Sequence, residues 1–265
     1  MSDHSEVDHI GGQIAWRESG EGAPVIFLHG LGGTRVSWGP QLRGLADQFR
    51  CIAWDMPGYG DSEPLEPLTY KGIADRLVGF LDHLELECAD LVGLSFGGMH
   101  ALHTAINYPD RVRRMVLADS SPAFGMDGTT VQDWTRSRLE PLDRGETPAD
   151  AAEYVIDAIT ARTLTGEIRS ETVDGFARIS PRGFRAAVEC LPHNDVRDEL
   201  GTICHPSLVI VGELDEETPV SYAKTLCDGL WDCELAILDG VGHLSPAEDP
   251  ERFNQLVRRF LKPVR

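Results

Sequence analysis

The 265-residue sequence predicts an α/β fold, a mostly parallel central sheet flanked by helices. Two observations carry this. Short apolar runs bounded by glycine or aspartate recur without the polar alternation of a half-exposed strand, as parallel strands covered on both faces do. Segments with helical spacing of apolar residues separate those runs, and such alternation implies parallel strands joined by crossover helices.

In chain order, PVIFLHG (24–30), CIAWDMPG (51–58) and ADLVGLS (89–95) are the first buried strands. RMVLADS (114–120), SLVIVGE (207–213) and ELAILDG (234–240) follow in the same style. Helical periodicity marks KGIADRLVGFLDHLEL (71–86) and FGGMHALHTAINY (96–108), and a last helix is expected over 246–261. The alternation breaks between Pro122 and Gly201. There TTVQDWTRSRLEPL, PADAAEYVIDAITART and PRGFRAAVECL are amphipathic, with no strand-like run among them. The expectation is a helical cap over 123–201, inserted between two parts of one core, 1–122 and 202–265. An insertion between adjacent strands sits over their carboxyl ends, where ligands bind in open α/β sheets.

Composition narrows the function classes. With 42% apolar residues the chain can bury one large core. The opening MSDHSEVDHI has no basic n-region or apolar run, and no long apolar stretch follows, so a cytoplasmic protein is expected, with no membrane partner. A formal charge of −19 without basic clusters reverses the electrostatic term that drives nucleic-acid binding. The six cysteines lack CxxC spacing, so most are expected to be reduced packing residues, with no metal and no cofactor.

The chemistry centres on Gly93-Leu94-Ser95-Phe96-Gly97. A serine flanked by glycines at a strand-to-helix junction sits on a turn too tight for bulky neighbours, and the turn lifts its hydroxyl clear of the sheet. A mere turn is the bland alternative. His100 is a poor base for this serine, because five residues of helix at ~1.5 Å each carry it away. With His103 it could form a metal pair, but no third ligand is apparent. Trp38 reads as core.

Besides this elbow the chain has His29-Gly30 after a strand, Asp55-Met56-Pro57-Gly58-Tyr59-Gly60-Asp61-Ser62, and a late Gly242-His243. Across its whole length it thereby resembles the α/β-hydrolase family. The resemblance implies an α/β-hydrolase fold and a triad in the order Ser95, Asp215, His243, with Asp119 as the alternative acid. It also implies an oxyanion hole from the backbone N–H groups of Leu31 and Phe96. Serine rather than aspartate at position 95 excludes the dehalogenase and epoxide hydrolase chemistries of this fold.

The expected function is a serine hydrolase acting on a small-molecule ester or lactone. VSWGPQ (36–41), GLSFGG (93–98) and His243-Leu244-Ser245 resemble 3-oxoadipate enol-lactonases. Amide or carbon–carbon bond hydrolysis, perhydrolase or acyltransferase activity, and a slow-turnover ligand sensor stay open. Leu31, Phe96, Trp134, Arg182 and Arg185 are the candidate substrate contacts. For a dicarboxylate substrate, Arg136, Arg138 and Arg162 join those two arginines as candidate clamps. The oligomeric state, a homodimer among the options, is left open.

Overall fold

The computed structural model describes residues 5–262. The outermost residues of the two expected core parts, 1–4 and 263–265, lie outside the described residues. The first half runs β1 (Val7–His9), β2 (Trp16–Ser19), β3 (Ala23–Leu28), α1 (Gly39–Leu45), β4 (Phe49–Trp54), α2 (Tyr70–His83), β5 (Ala89–Leu94), α3 (Phe96–Asn107) and β6 (Val112–Ala118). Four helices follow: α4 (Val131–Asp143), α5 (Pro148–Ile159), α6 (Gly166–Ala177) and α7 (Pro181–Cys190). The chain then forms β7 (Ser207–Gly212), α8 (Val220–Gly229), β8 (Cys233–Leu238), α9 (Ser245–Glu248) and α10 (Pro250–Leu261).

The strands make one sheet in the order β1-β2-β4-β3-β5-β6-β7-β8. From β4 to β8 all neighbours are parallel, while β1 and β2 add an antiparallel edge. Alternation along each strand splits the core into two layers. In β3, Val25 and Phe27 join Trp38 and Leu42 of the α1 side and Phe253 and Val257 of α10. Ile26 and Leu28 face the other way, toward Ile73 and Leu77 of α2 and Met99 and Leu102 of α3. Trp38 is a core residue, 1% exposed.

β6 and β7 are hydrogen-bonded neighbours, so the helices between them leave and re-enter the sheet at one place. An isolated bridge between Ala123 and Asp195 ties the two ends of that excursion together. The order of β3, β5 and β6 carries the loops after these strands, and those after β7 and β8, to the same end of the sheet.

Three sequence expectations are corrected. Two strands precede the first expected one: β1, mostly exposed, and β2, half-buried, are short and lack the apolar signal of the central strands. The last helix is interrupted at Asp249, whose backbone (φ −141°, ψ 65°) leaves the helix before Pro250 and whose side chain caps α10 through the Arg252 N–H. Finally, Cys227 and Cys233 form a disulfide and are not reduced packing residues. The turn between α8 and β8 folds back on itself and brings their Cα atoms within 5.3 Å. Cys51, Cys88, Cys190 and Cys204 are free.

Among the described residues no helix is long and apolar enough to cross a membrane. No group of three or more potential metal ligands is present among them either.

Candidate active site

Ser95 stands between β5 and α3 with φ 53° and ψ −115°, a left-handed conformation that costs a serine energy. The surroundings enforce it: the Ser95 N–H donates to Ala118 O (2.8 Å), and Ser95 O accepts from Ser120 Oγ (2.8 Å) and the Gly98 N–H (2.9 Å). The flanking glycines are required by close approach. A Cβ on Gly97 would lie 2.0 Å from Leu28 O, and one on Gly93 would lie 2.4 Å from Gly97 O.

The loop after β8 brings His243 to this serine. The Ser95 hydroxyl donates to His243 Nε2 across 3.0 Å, and Nδ1–H donates to both carboxylate oxygens of Asp215 at 3.0 and 2.9 Å. Asp215 follows β7. Its carboxylate also accepts from the Glu217 and Thr218 N–H groups (2.9 Å each) and the Thr218 hydroxyl (2.8 Å). Burial works to raise the Asp215 pKa, yet the charge and hydrogen bond of His243, with the Thr218 donors, hold it below the ordinary carboxylate value. Burial likewise opposes charge on His243. Asp215, through charge and hydrogen bond, with Asp119 and Glu217 behind it, outweighs that and pushes the imidazole up to about 9.

Asp119, at the end of β6, takes a different position. It accepts from the Gly212 N–H (2.9 Å) and the Ser245 N–H (3.0 Å), tying β6 to β7 and to the histidine loop. Fully buried and facing the Asp215 charge, its carboxyl is pushed up to about 8. The residue hydrogen-bonded to His243 is Asp215.

The loop after β3 lies against Ser95, since a Cβ on Gly30 would stand 3.3 Å from that of the serine. The Gly30 carbonyl accepts from His29 Nδ1–H (2.9 Å) and the Gly33 N–H (3.2 Å), so the Leu31 N–H, trans across the same peptide, points away from those donors. His29 Nε2 accepts from the Met56 N–H (3.0 Å), which uses both ring nitrogens of a neutral imidazole, and burial lowers its pKa. The Tyr59 hydroxyl donates to Leu31 O (3.1 Å). Among the described residues neither the Leu31 nor the Phe96 backbone N–H is hydrogen-bonded within the chain. The Asp55 to Ser62 motif supports this loop: Asp55 accepts from the Arg35 N–H (2.7 Å) and pairs with its guanidinium, while Ser62 Oγ donates to Asp55 O (2.7 Å).

Above these groups lies a cavity of about 730 Å³, walled by residues of α4 to α7 and by the loops just described. Leu31 and Trp134 line it. Three expected substrate contacts do not. The Phe96 ring is fully buried on the other side of its backbone, edge-on to His100 with centroids 4.2 Å apart. Arg182 and Arg185 project from α7 into solvent, where they pair with Glu66 and Asp143. The apolar face of α7 that meets the interior is marked by Phe184, Ala187 and Val188, and both arginines lie on the opposite face. His100 packs against Phe96, Trp54 and Tyr70, and His103 stacks on Tyr70 and bonds Asn194 (3.1 Å), so neither approaches Ser95 as a base.

Sequence reasoning missed Glu248 as an anchor. Its buried carboxylate accepts from the Gly242 and Leu244 N–H groups on either side of His243 (3.0 and 3.1 Å), and from those of Ala161 and Arg162 beyond α5 (2.9 Å each). The His243 N–H itself donates to Ile159 O at the end of α5 (3.0 Å).

Residues 23–250 match the family model for the alpha/beta hydrolase fold. The chain belongs to the α/β-hydrolase family. A 2-hydroxymuconate semialdehyde hydrolase of Pseudomonas sp. strain CF600 is 33% identical over 266 residues, covering 97% of this chain and 93% of its own. A 3-oxoadipate enol-lactonase of Acinetobacter baylyi is 28% identical over 246 residues, covering 90% of this chain and 88% of its own. Among solved structures, an esterase from Exiguobacterium antarcticum shares the fold with a TM-score of 0.86 at 22% identity, covering 94% of this chain and 96% of its own.

Proposed function

We propose that this chain is a serine hydrolase that cleaves a small-molecule ester or lactone through an acyl-enzyme on Ser95. The observation that carries the reading is the continuous contact from Ser95 Oγ to His243 Nε2 (3.0 Å) and from Nδ1 to Asp215. Ser95 Oγ attacks the carbonyl carbon while its proton passes to Nε2. Asp215 fixes the tautomer that leaves Nε2 free and stabilises the imidazolium that forms. The carbonyl oxygen, now negative, is received by the Leu31 and Phe96 N–H groups. The imidazolium returns its proton to the leaving alkoxide, and water, deprotonated by His243, releases the acid and restores Ser95. No metal or cofactor is asked for.

A relative named as an enol-lactonase supports the bond type. Carbon–carbon hydrolysis is the second reading, because the relative at 33% identity is named a semialdehyde hydrolase. The test is turnover of p-nitrophenyl acetate by the wild type and by Ser95→Ala. Release of p-nitrophenolate that vanishes with the substitution supports the reading, whereas release that does not depend on Ser95 sinks it. A vinylogous diketone assayed in parallel separates the two bond types by the larger kcat/KM.

A further inference from the structure

The charges on the cavity wall are unevenly distributed. Asp127, Asp133, Glu216 and Glu217 stand at its exposed mouth, and Arg138 is the one arginine or lysine on the wall among the described residues. Arg138 is already engaged: Nη2–H donates to Glu217 Oε2 at 3.0 Å, and the guanidinium lies 4.5 Å over the Trp134 ring. Trp134 is itself fixed, its Nε1–H donating to Val188 O (3.1 Å). Four other cap arginines lie off the cavity wall and are paired, Arg136 with Asp133 of the mouth, Arg162 with Asp249 and the carbonyls of Asp239 and Gly240, Arg182 with Glu66 and Arg185 with Asp143. At the cavity floor His243 is already hydrogen-bonded to Asp215, so it offers an entering carboxylate no unpartnered cation.

We infer that the cavity selects an uncharged acyl group and rejects one that carries a carboxylate, with Glu217 setting that preference by neutralising Arg138. The inference rests on the proposed hydrolase reading of the same cavity. An entering carboxylate meets like charges at the mouth and no unpaired cation inside, and the −19 charge of the chain adds to the repulsion. It would also lose hydration against an interior lined by Val155, Ile156, Phe176 and Phe184. An uncharged acyl chain meets neither cost. The dicarboxylate clamp considered from the sequence is thereby disfavoured.

The test uses two esters with the same five-carbon acyl chain, p-nitrophenyl valerate and mono-p-nitrophenyl glutarate. The expected kcat/KM is at least about tenfold lower for the glutarate ester at low salt. Added salt narrows the gap by screening the mouth, and so does Glu217→Gln, which frees Arg138 to meet the carboxylate. Taking the ratio of the two esters cancels any effect of Glu217 on His243. Equal or better turnover of the glutarate ester, or a ratio that Glu217→Gln leaves unmoved, overturns the inference. Calorimetry on Ser95→Ala with N-phenylvaleramide and N-phenylglutaramate separates it from the hydrolase reading. Tighter binding of the uncharged amide without any ester turnover sinks only the reaction, while equal or tighter binding of the glutaramate sinks the charge selection.

Discussion

Around Ser95 and His243 the chain holds each reacting group with several backbone hydrogen bonds, whereas the helices above offer the cavity apolar side chains and ion pairs that stand partly in solvent. Asp215 accepts from three donors besides His243, and Glu248 accepts four N–H groups. The Arg138–Glu217 pair at the mouth joins side chains 35% and 38% exposed. Buried, multiply bonded groups have one geometry and a high cost of removal. Half-solvated pairs contribute little to stability and can change without unfolding the protein. Reaction type and substrate range are accordingly separable, the first written into the floor and the second into the wall.

The largest expected effect is at the floor. Ser95→Ala lowers kcat for an activated ester by on the order of 10⁴-fold or more, read by steady-state release of p-nitrophenolate. Next, Asp215→Asn lowers kcat by roughly 10³- to 10⁴-fold because the imidazole loses the partner that sets its tautomer. Asp119→Asn retains most turnover, since an amide oxygen still accepts one of the two N–H groups. If Asp119→Asn abolishes turnover and Asp215→Asn keeps it, the two carboxylates have been assigned the wrong way round.

Glu248→Ala strands four N–H groups. It should destabilise the fold by on the order of 3 kcal/mol, measured by urea unfolding, and the refolded protein should lose activity because the His243 loop is no longer tied to α5. At the wall, Trp134→Ala should raise KM a few-fold with little change in kcat, as expected for contact made equally before and during reaction.

The pH profile sharpens the same contrast. The base must be neutral, and His243 is held above its ordinary value, so kcat/KM should rise with pH through the range above 6.5 and toward 9. Asp215→Asn should move the residual profile's rising limb to lower pH. For stability the sign is opposite. A raised imidazole pKa contributes stability that is complete below about 6.5 and is lost as pH rises through about 9. The lowered Asp215 pKa contributes stability that is present above 3.8 and lost as pH falls below it. A rising limb below pH 6 would mean that Asp215 does not stabilise the imidazolium.

Much of the floor is legible in sequence because its constraints are local. Glycines 93 and 97 are demanded by a turn five residues long, and His243 sits in a glycine-bearing loop right after a strand. Glu248 is only five residues from His243, but two of its partners, Ala161 and Arg162, follow α5 far back in the chain, and no local pattern announces them. Phe96 is not the substrate contact expected of it, because a residue can offer its N–H to the site while its ring is buried in the core. The outward direction of Arg182 and Arg185 is in fact legible, since Phe184, Ala187 and Val188 at i, i+3 and i+4 mark the buried face of α7 and leave both arginines on the other. The α6 helix escaped notice because it opens on Gly166 and carries few apolar residues. Cys227 and Cys233 pair across a reversal that only the tertiary fold of α8 and β8 creates.

The claim on which all else depends is that Ser95 becomes covalently bonded during the reaction. Treating the protein with a fluorophosphonate and mapping the adduct by peptide mass spectrometry tests it directly. One equivalent of label is expected on Ser95, formed faster as pH rises through the His243 transition and absent in Ser95→Ala. Label on another residue, or none while esterase activity persists, would contradict it.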